Sequence, residues 1–128
     1  MGLDMMLRRR VIGDFKEENG ADEVAYWRKA NQIREWFVRN TGYDTNANCV
    51  EHLLTKEQLE QLMDDCDKVI KDHSLAREIM PTSQGFFFGS AEYDEGYFED
   101  LKNTVDQLTE IFETTDFETE EIYYYEWW

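Results

Sequence analysis

Proline occurs once in this chain and cysteine twice, and from residue 91 onward Lys102 is the only basic side chain against thirteen acids. No apolar run is long enough to span a bilayer, and the first residues carry no signal-peptide apolar core. The start MGLDMM places Met6 where myristoylation needs Ser or Thr. A soluble, cytoplasmic protein with no membrane partner is therefore expected. Two cysteines, Cys49 and Cys66, do not make a disulfide scaffold, and the expectation is two reduced thiols. Phosphate-loop and dinucleotide fingerprints are missing, as are internal repeats and low-complexity linkers. Neither His52 nor His73 stands in a local pattern of nucleophile, base and orienter, so the chain reads as a non-enzyme without a cofactor.

The residues that are present point to a folded domain. A hydrophobic share of 41% with 15% aromatics is too rich for a disordered chain, even at 33% charged residues. A length of 128 residues suits one domain, 1–128, with a sizeable core. The net charge of −16 is uneven: residues 1–40 carry eight basic and seven acidic side chains, and residues 41–128 carry five and twenty-two. Such a field repels nucleic acid and anionic membrane and attracts basic partners at a distance. Solubility alone accounts for it equally well.

Periodicity supplies the elements. In residues 2–12, Leu3, Met5 and Leu7 alternate with Gly2, Asp4 and Met6 before three arginines, which reads as an edge strand. A first helix is expected over residues 21–39, with Tyr26, Ala30, Ile33 and Phe37 on one face and Gly42 as its stop. A second starts at Thr55, which makes a capping box with Gln58, and ends near Ser74. Its stripe is Leu59, Leu62, Met63, Cys66, Val69, Ile70 and His73, with Asp64, Asp65 and Asp67 off it, and Pro81 closes the short segment that follows. A third begins between Ser90 and Asp94 and runs to about Phe112 through Tyr97, Leu101, Val105 and Leu108. The tail EEIYYYEWW is β-rich and suits a strand beside the N-terminal one. The expected fold is α+β: three helices packed on a small, mostly antiparallel sheet that includes the N- and C-terminal strands, with residues 50–54 and 86–88 as further strand candidates.

Four residues invite a metal reading, namely Cys49, His52, Cys66 and His73. Zinc favours two tight ligand pairs, whereas six residues separate Cys66 from His73 and Cys66 lies in the centre of an apolar stripe. No metal is assigned.

Arg34 falls inside the apolar arc of the first expected helix. A guanidinium there needs a partner, because a buried charge left unpaired costs roughly several kcal/mol. One reading is an internal salt bridge, or snorkelling to a rim. The other aims Arg34 into a pocket for an anionic or polar ligand, with Trp27, Arg28, Lys29 and Asn31 on the same helix supplying a stacking face and donors. The stretch GFFFGSAEYDEGY, residues 85–97, has the same two sides. Its phenylalanines suit a buried strand, with Phe87 facing opposite to Phe86 and Phe88. The glycines and Ser90 also suit a small anion site at a helix N-terminus with a phenylalanine as stacking wall, although Glu92, Asp94 and Glu95 crowd that end. Candidate ligand residues are thus Trp27, Arg28, Lys29, Asn31, Arg34, Phe87 and Ser90. Candidate residues for a basic protein partner are Glu118, Glu120 and Glu121. Exposed Trp127 and Trp128 would suit a homodimer seam, and a packed terminal strand explains them equally.

The opening MGLDMMLRR, the block AYWRKANQIREWFV, the region from Cys49 to Leu62, the block PTSQGFFFGSAEYDEGYFEDL and the end IYYYEWW follow one another in a recognisable order. Together they resemble a family of small, functionally uncharacterised proteins encoded by tailed phages, prophages and some bacterial genomes. The resemblance covers nearly the whole chain. The family carries a histidine where this chain has Arg34, so a metal-binding or proton-transferring role is not carried over to that position. The resemblance implies an accessory binding protein of the host cytoplasm that counters a host defence or DNA-processing system by binding a host protein. Sequestration of a nucleotide signal in an aromatic and arginine-lined pocket is the alternative, and a structural or assembly component is a third.

Overall fold

In a computed structural model, residues 2–13, 22–43, 49–83 and 91–128 are described. Two strands near the N-terminus, β1 (Asp4–Val11) and β2 (Asp22–Arg28), lead into helix α1 (Asn31–Thr41). A short strand β3 (His52–Leu54) precedes α2 (Lys56–Lys71), a 3-10 turn (His73–Leu75) and the one-turn helix α3 (Ala76–Ile79). The long helix α4 (Glu95–Thr114) and strand β4 (Glu120–Trp127) complete the chain. The four strands form one antiparallel sheet in the order β2-β1-β4-β3.

The α+β class is as expected, and the N- and C-terminal strands pair along their whole length, from Asp4 opposite Trp127 to Val11 opposite Glu120. Several expectations are corrected. The strand expected within residues 2–12 is not an edge: β1 is central, with β2 on one side and β4 on the other. The helix expected over residues 21–39 is two elements. Val24, Ala25 and Trp27 have the shape and apolarity to pack on a pleated sheet, and β1 offers them a hydrogen-bonding partner. The helical spacing holds only from Ala30 through Ile33 to Phe37, all buried. Between strand and helix the chain turns at Lys29, whose φ of 57° is left-handed, and Trp27, Arg28, Lys29 and Asn31 do not share a helix. Gly42 ends α1 at φ 72°, a conformation that costs glycine no steric penalty.

Helix α2 begins as read, with Thr55 and Gln58 bonded reciprocally in a capping box. It ends at Lys71 rather than near Ser74, because the Asp72 carboxylate accepts from Ser74 N and starts the 3-10 turn. His73 therefore leaves the buried stripe and stacks in the open on Phe98, ring centroids 3.7 Å apart. Among the described residues there are four α-helices rather than three, the extra one being α3 just before Pro81. Asp94 caps α4 through Tyr97 N at 3.0 Å. The strand expectation at residues 86–88 and the whole of GFFFGS lie outside the described residues.

One face of the sheet carries the core. Leu3, Met5, Leu7, Ala25, Trp27, Ile122 and Tyr124 are buried with the apolar faces of α1, α2 and α4. Phe37 of α1 stacks on Tyr124 of β4 at 4.2 Å, and the Trp27 indole N–H donates to Thr104 Oγ1 on α4 at 2.8 Å. Each fully buried large apolar side chain of this kind contributes about 1.5–3 kcal/mol. Helix α4 also closes the outer edge of β2. The Gln107 side-chain amide accepts from Tyr26 N at 2.7 Å and donates to Tyr26 O at 3.2 Å, standing in for a neighbouring strand.

Candidate functional site

Alternation along the strands sends every second residue of the sheet away from the core. On β1 these are Asp4, Met6, Arg8 and Arg10, on β4 Glu121, Tyr123, Tyr125 and Trp127, and on β2 Tyr26 and Arg28. Cross-strand register converts the alternation into rows. Asp4 lies directly opposite both Arg28 and Trp127, and Met6 opposite both Tyr26 and Tyr125. This face is therefore built of guanidinium groups, carboxylates and aromatic rings.

Its middle is internally paired, apart from the buried Nε of Arg10, which has no hydrogen-bond partner among the described residues. The Arg8 guanidinium lies 3.9 Å above the Tyr125 ring centroid and that of Arg10 4.6 Å from the Tyr123 centroid. Glu51 holds Arg10 through both carboxylate oxygens at 2.6 and 2.7 Å and reaches Arg8 at 3.5 Å. The Tyr123 hydroxyl donates to Glu121 at 2.5 Å. Burial, and then the bond to Glu121, push the Tyr123 hydroxyl above its ordinary range.

The end of the face near the N-terminus is different. Gly2, Asp4, Arg28, Trp127 and Trp128 line a cleft of about 260 Å³. Trp127 is 58% exposed, the most exposed large apolar side chain among the described residues. Trp128 is pinned by its indole N–H, which donates to Glu126 Oε2 at 2.7 Å. The Tyr26 hydroxyl donates to Asp4 Oδ1, which fixes the carboxylate, and that bond raises the Tyr26 pKa. Arg28 and Lys29 converge on Gly2: a side chain there would have its first carbon 3.0 Å from Lys29 Cε and 3.7 Å from Arg28 Nη2. Neither cation forms a side-chain hydrogen bond or ion pair with any described residue, although the chain carries twenty-nine acids.

The residues expected from sequence to bind a ligand are scattered by the fold. Trp27 is in the core, and Asn31 is buried with Oδ1 accepting from Ser83 N at 3.1 Å. Arg34 is buried and donates from Nε to both oxygens of Glu126 at 2.9 Å, the internal salt bridge that was one of its two readings. Arg28 is exposed at the cleft, and Lys29 is exposed in a separate groove beside Glu92, Asp94 and Asp100. Phe87 and Ser90 lie outside the described residues. Sequence reasoning missed Asp4 as a site residue and took Trp127 and Trp128 for a seam or a packed strand. The period-two alternation was visible, but the register that aligns Arg28, Asp4 and Trp127 was not.

The acidic surface is helical. Glu95, Glu99, Asp106, Glu110 and Glu113 form an exposed stripe on α4 at spacings of three, four and seven, interrupted by Lys102. No ion pair joins any of these acids to a described residue, whereas Asp64 and Asp67 on α2 hold Lys68 and Lys71 at 3.0 and 2.7 Å. Beyond the helix, Glu118 is exposed and lines a groove of about 630 Å³ floored by Met63, Phe112 and Phe117 and rimmed by Glu60 and Asp116. Glu120 and Glu121 are tied into the fold. Glu120 accepts from Asp116 N at 3.0 Å and faces Arg9 at 3.5 Å, and Glu121 takes the Tyr123 proton donor.

The four sulfur and imidazole donors do not converge. Cys49 is exposed beside the sheet, Cys66 is in the core of α2, and His73 is on Phe98. The His52 ring lies 3.2 Å from Thr41 O. Among the described residues no three His, Cys, Asp or Glu side chains are grouped to hold a metal ion, and no helix is long and apolar enough to cross a membrane.

Comparisons with protein-family models, with curated proteins and with solved structures found no match for this chain.

Proposed function

We propose that this chain is a binding protein of the phage accessory type, which occupies a basic surface of a host protein with the acidic stripe of α4. The observation that carries this reading is the contrast between the two helices. Asp64 and Asp67 of α2 are paired with lysines one turn away, while the acidic stripe of α4 is presented to solvent over a helix about 30 Å long. Charges of one sign at that density raise association rates with an oppositely charged surface and make the affinity fall with salt. At the C-terminal end of α4 the groove beside Glu118 adds an apolar floor with Glu60, Asp116 and Glu118 outnumbering Lys56 in its lining, which suits a basic segment with an apolar side chain. The block order that resembles the phage-encoded family supports the host-directed context. Counteracting a defence or DNA-processing system is the role that fits a small acidic binder in that context.

The test is affinity capture from bacterial lysate with the wild-type chain and with the triple variant Glu99→Gln, Asp106→Asn, Glu110→Gln, at low and at high salt. A partner retained by the wild type at low salt, lost to the variant and lost at high salt supports the reading. Partners held equally by both chains, or held more firmly at high salt, overturn it.

A further inference from the structure

The geometry points to a ribonucleotide site in the cleft at the N-terminal end of the open sheet face, with Trp127 for the base, Asp4 for the ribose hydroxyls and Arg28 for the phosphate. This goes beyond the acidic-stripe reading and does not rest on it, since the two surfaces share no residue.

The argument begins with the order of chemistry along one row. Asp4 is the direct cross-strand partner of Trp127 on one side and of Arg28 on the other. Neighbouring strands are about 4.8 Å apart, so indole, carboxylate and guanidinium follow one another across roughly 10 Å. A nucleotide presents its own parts in the matching order: an aromatic ring, a sugar with hydroxyl donors, then a phosphate. The indole of Trp127 is open to receive a base, because it is 58% exposed and stacks on no described aromatic ring. Every base has a π-face, so stacking there is tolerant of base identity.

The carboxylate is held ready. The Tyr26 hydroxyl donates to Oδ1 of Asp4, leaving Oδ2 and a remaining lone pair of Oδ1 as acceptors for hydroxyl groups. A carboxylate in this role is the general device by which proteins read a ribose 2′-hydroxyl. Deoxyribonucleotides lose that donor.

The cation is the third part. Arg28 lines the cleft beside Gly2 and forms no ion pair with any described residue, whereas Lys29, whose Cε lies against Gly2, lines a separate groove with Glu92, Asp94 and Asp100. A guanidinium left without an ion pair among the described residues has an anion as its natural complement. The charge also limits the ligand. One phosphate group meets Arg28 at the cleft, whereas a long polyanion would have to run past Glu51 and Glu121 on the same face and into the field of the whole protein. A free mononucleotide therefore fits better than RNA.

Tryptophan fluorescence tests the site directly. Trp27 and Trp36 are buried with their indole N–H groups bonded, so quenching by a ligand reports on Trp127 and Trp128. Titration of the full chain with AMP is expected to give saturable quenching below about 1 mM. Deoxy-AMP and adenosine should each bind at least about tenfold more weakly, and ribose 5-phosphate should not quench at all. Trp127→Ala and Arg28→Ala should each weaken AMP at least about tenfold, as measured by calorimetry, with circular dichroism unchanged because both side chains are exposed. Asp4→Asn should bring AMP and deoxy-AMP to similar affinity. The proposal is overturned if AMP fails to saturate, if inorganic phosphate or ribose 5-phosphate displaces it as well as AMP itself, or if the Trp127 and Arg28 variants bind like the parent. It is equally overturned if deoxy-AMP and AMP bind the wild type alike. Loss of the acidic stripe of α4 leaves all of these readouts unchanged.

Discussion

Arg34 on α1 and Glu126 on β4, ninety-two positions apart, meet inside the protein with Arg34 Nε 2.9 Å from each carboxylate oxygen. The carboxylate is fully buried and also accepts from the Tyr124 hydroxyl at 2.8 Å and the Trp128 indole at 2.7 Å. Burial first, and then the proximity of Glu126, push the Tyr124 hydroxyl well above its ordinary range, so it stays a donor. A pair this deep is costly to desolvate, and removing one member strands the other. Arg34→Met is expected to lower unfolding free energy by about 3–5 kcal/mol in urea titrations, and Arg34→Met with Glu126→Leu to recover most of it. A loss below about 1 kcal/mol for the single variant would show that the pair does not fasten β4 to α1.

The edge of β2 has its own test. Gln107 occupies the outward N–H and C=O of Tyr26, and so blocks the point where another strand would add. Gln107→Ala is expected to cost only about 1 kcal/mol, since the freed groups are near solvent. The larger effect should be concentration-dependent self-association in sedimentation velocity. A strictly monomeric variant at the concentrations where the wild type is monomeric would remove the edge-guarding role.

Stability should depend on pH through Asp100. Burial pushes its carboxyl above the usual range, with the hydrogen bond from Gln32 Nε2, at 3.3 Å, pulling the other way, and Asp94 and Glu99 adding to the rise. An acid whose folded pKa exceeds its unfolded one keeps its proton longer when folded. Its contribution to stability is therefore fully present below the unfolded pKa and is lost as pH rises through the folded pKa. Asp100→Asn should be more stable than the parent near pH 7 and indistinguishable from it near pH 3. Equal differences in urea midpoint at both pH values would contradict this.

The two cysteines should differ in reactivity. Cys49 is exposed at the turn before β3, whereas Cys66 is buried, and desolvation first, then Asp65 and Asp67, push its thiol far up. Iodoacetamide near pH 8 is expected to modify Cys49 alone in the native protein and both residues in urea. Native labelling of Cys66, read by peptide mass spectrometry, would mean that α2 opens far more readily than its packing implies.

Much of this architecture is legible in the amino-acid order. The capping box at Thr55 and Gln58, the stripe from Leu59 to Val69, the Asp94 cap, the alternation of residues 3–7 and the β-rich residue types of the tail are local signals, set by side-chain chemistry within a few residues. The need of Arg34 for a partner was equally plain, because the cost of a lone buried charge does not depend on which residue answers it. Tertiary structure decided the rest. Residues 22–28 carry an apolar pattern compatible with helix or strand, and only the free side of β1 makes them a strand. The same pairing turned two of the three arginines from the mark of an edge into the cover of an open face, with Arg8 and Arg10 lying on Tyr125 and Tyr123. Register likewise placed Arg28, Asp4 and Trp127 in one row. Helical signals repeat over a single turn and can be read locally. Register is a relation between residues distant in sequence, twenty-four positions for Asp4 and Arg28 and 123 for Asp4 and Trp127, and it exists only once the strands have met.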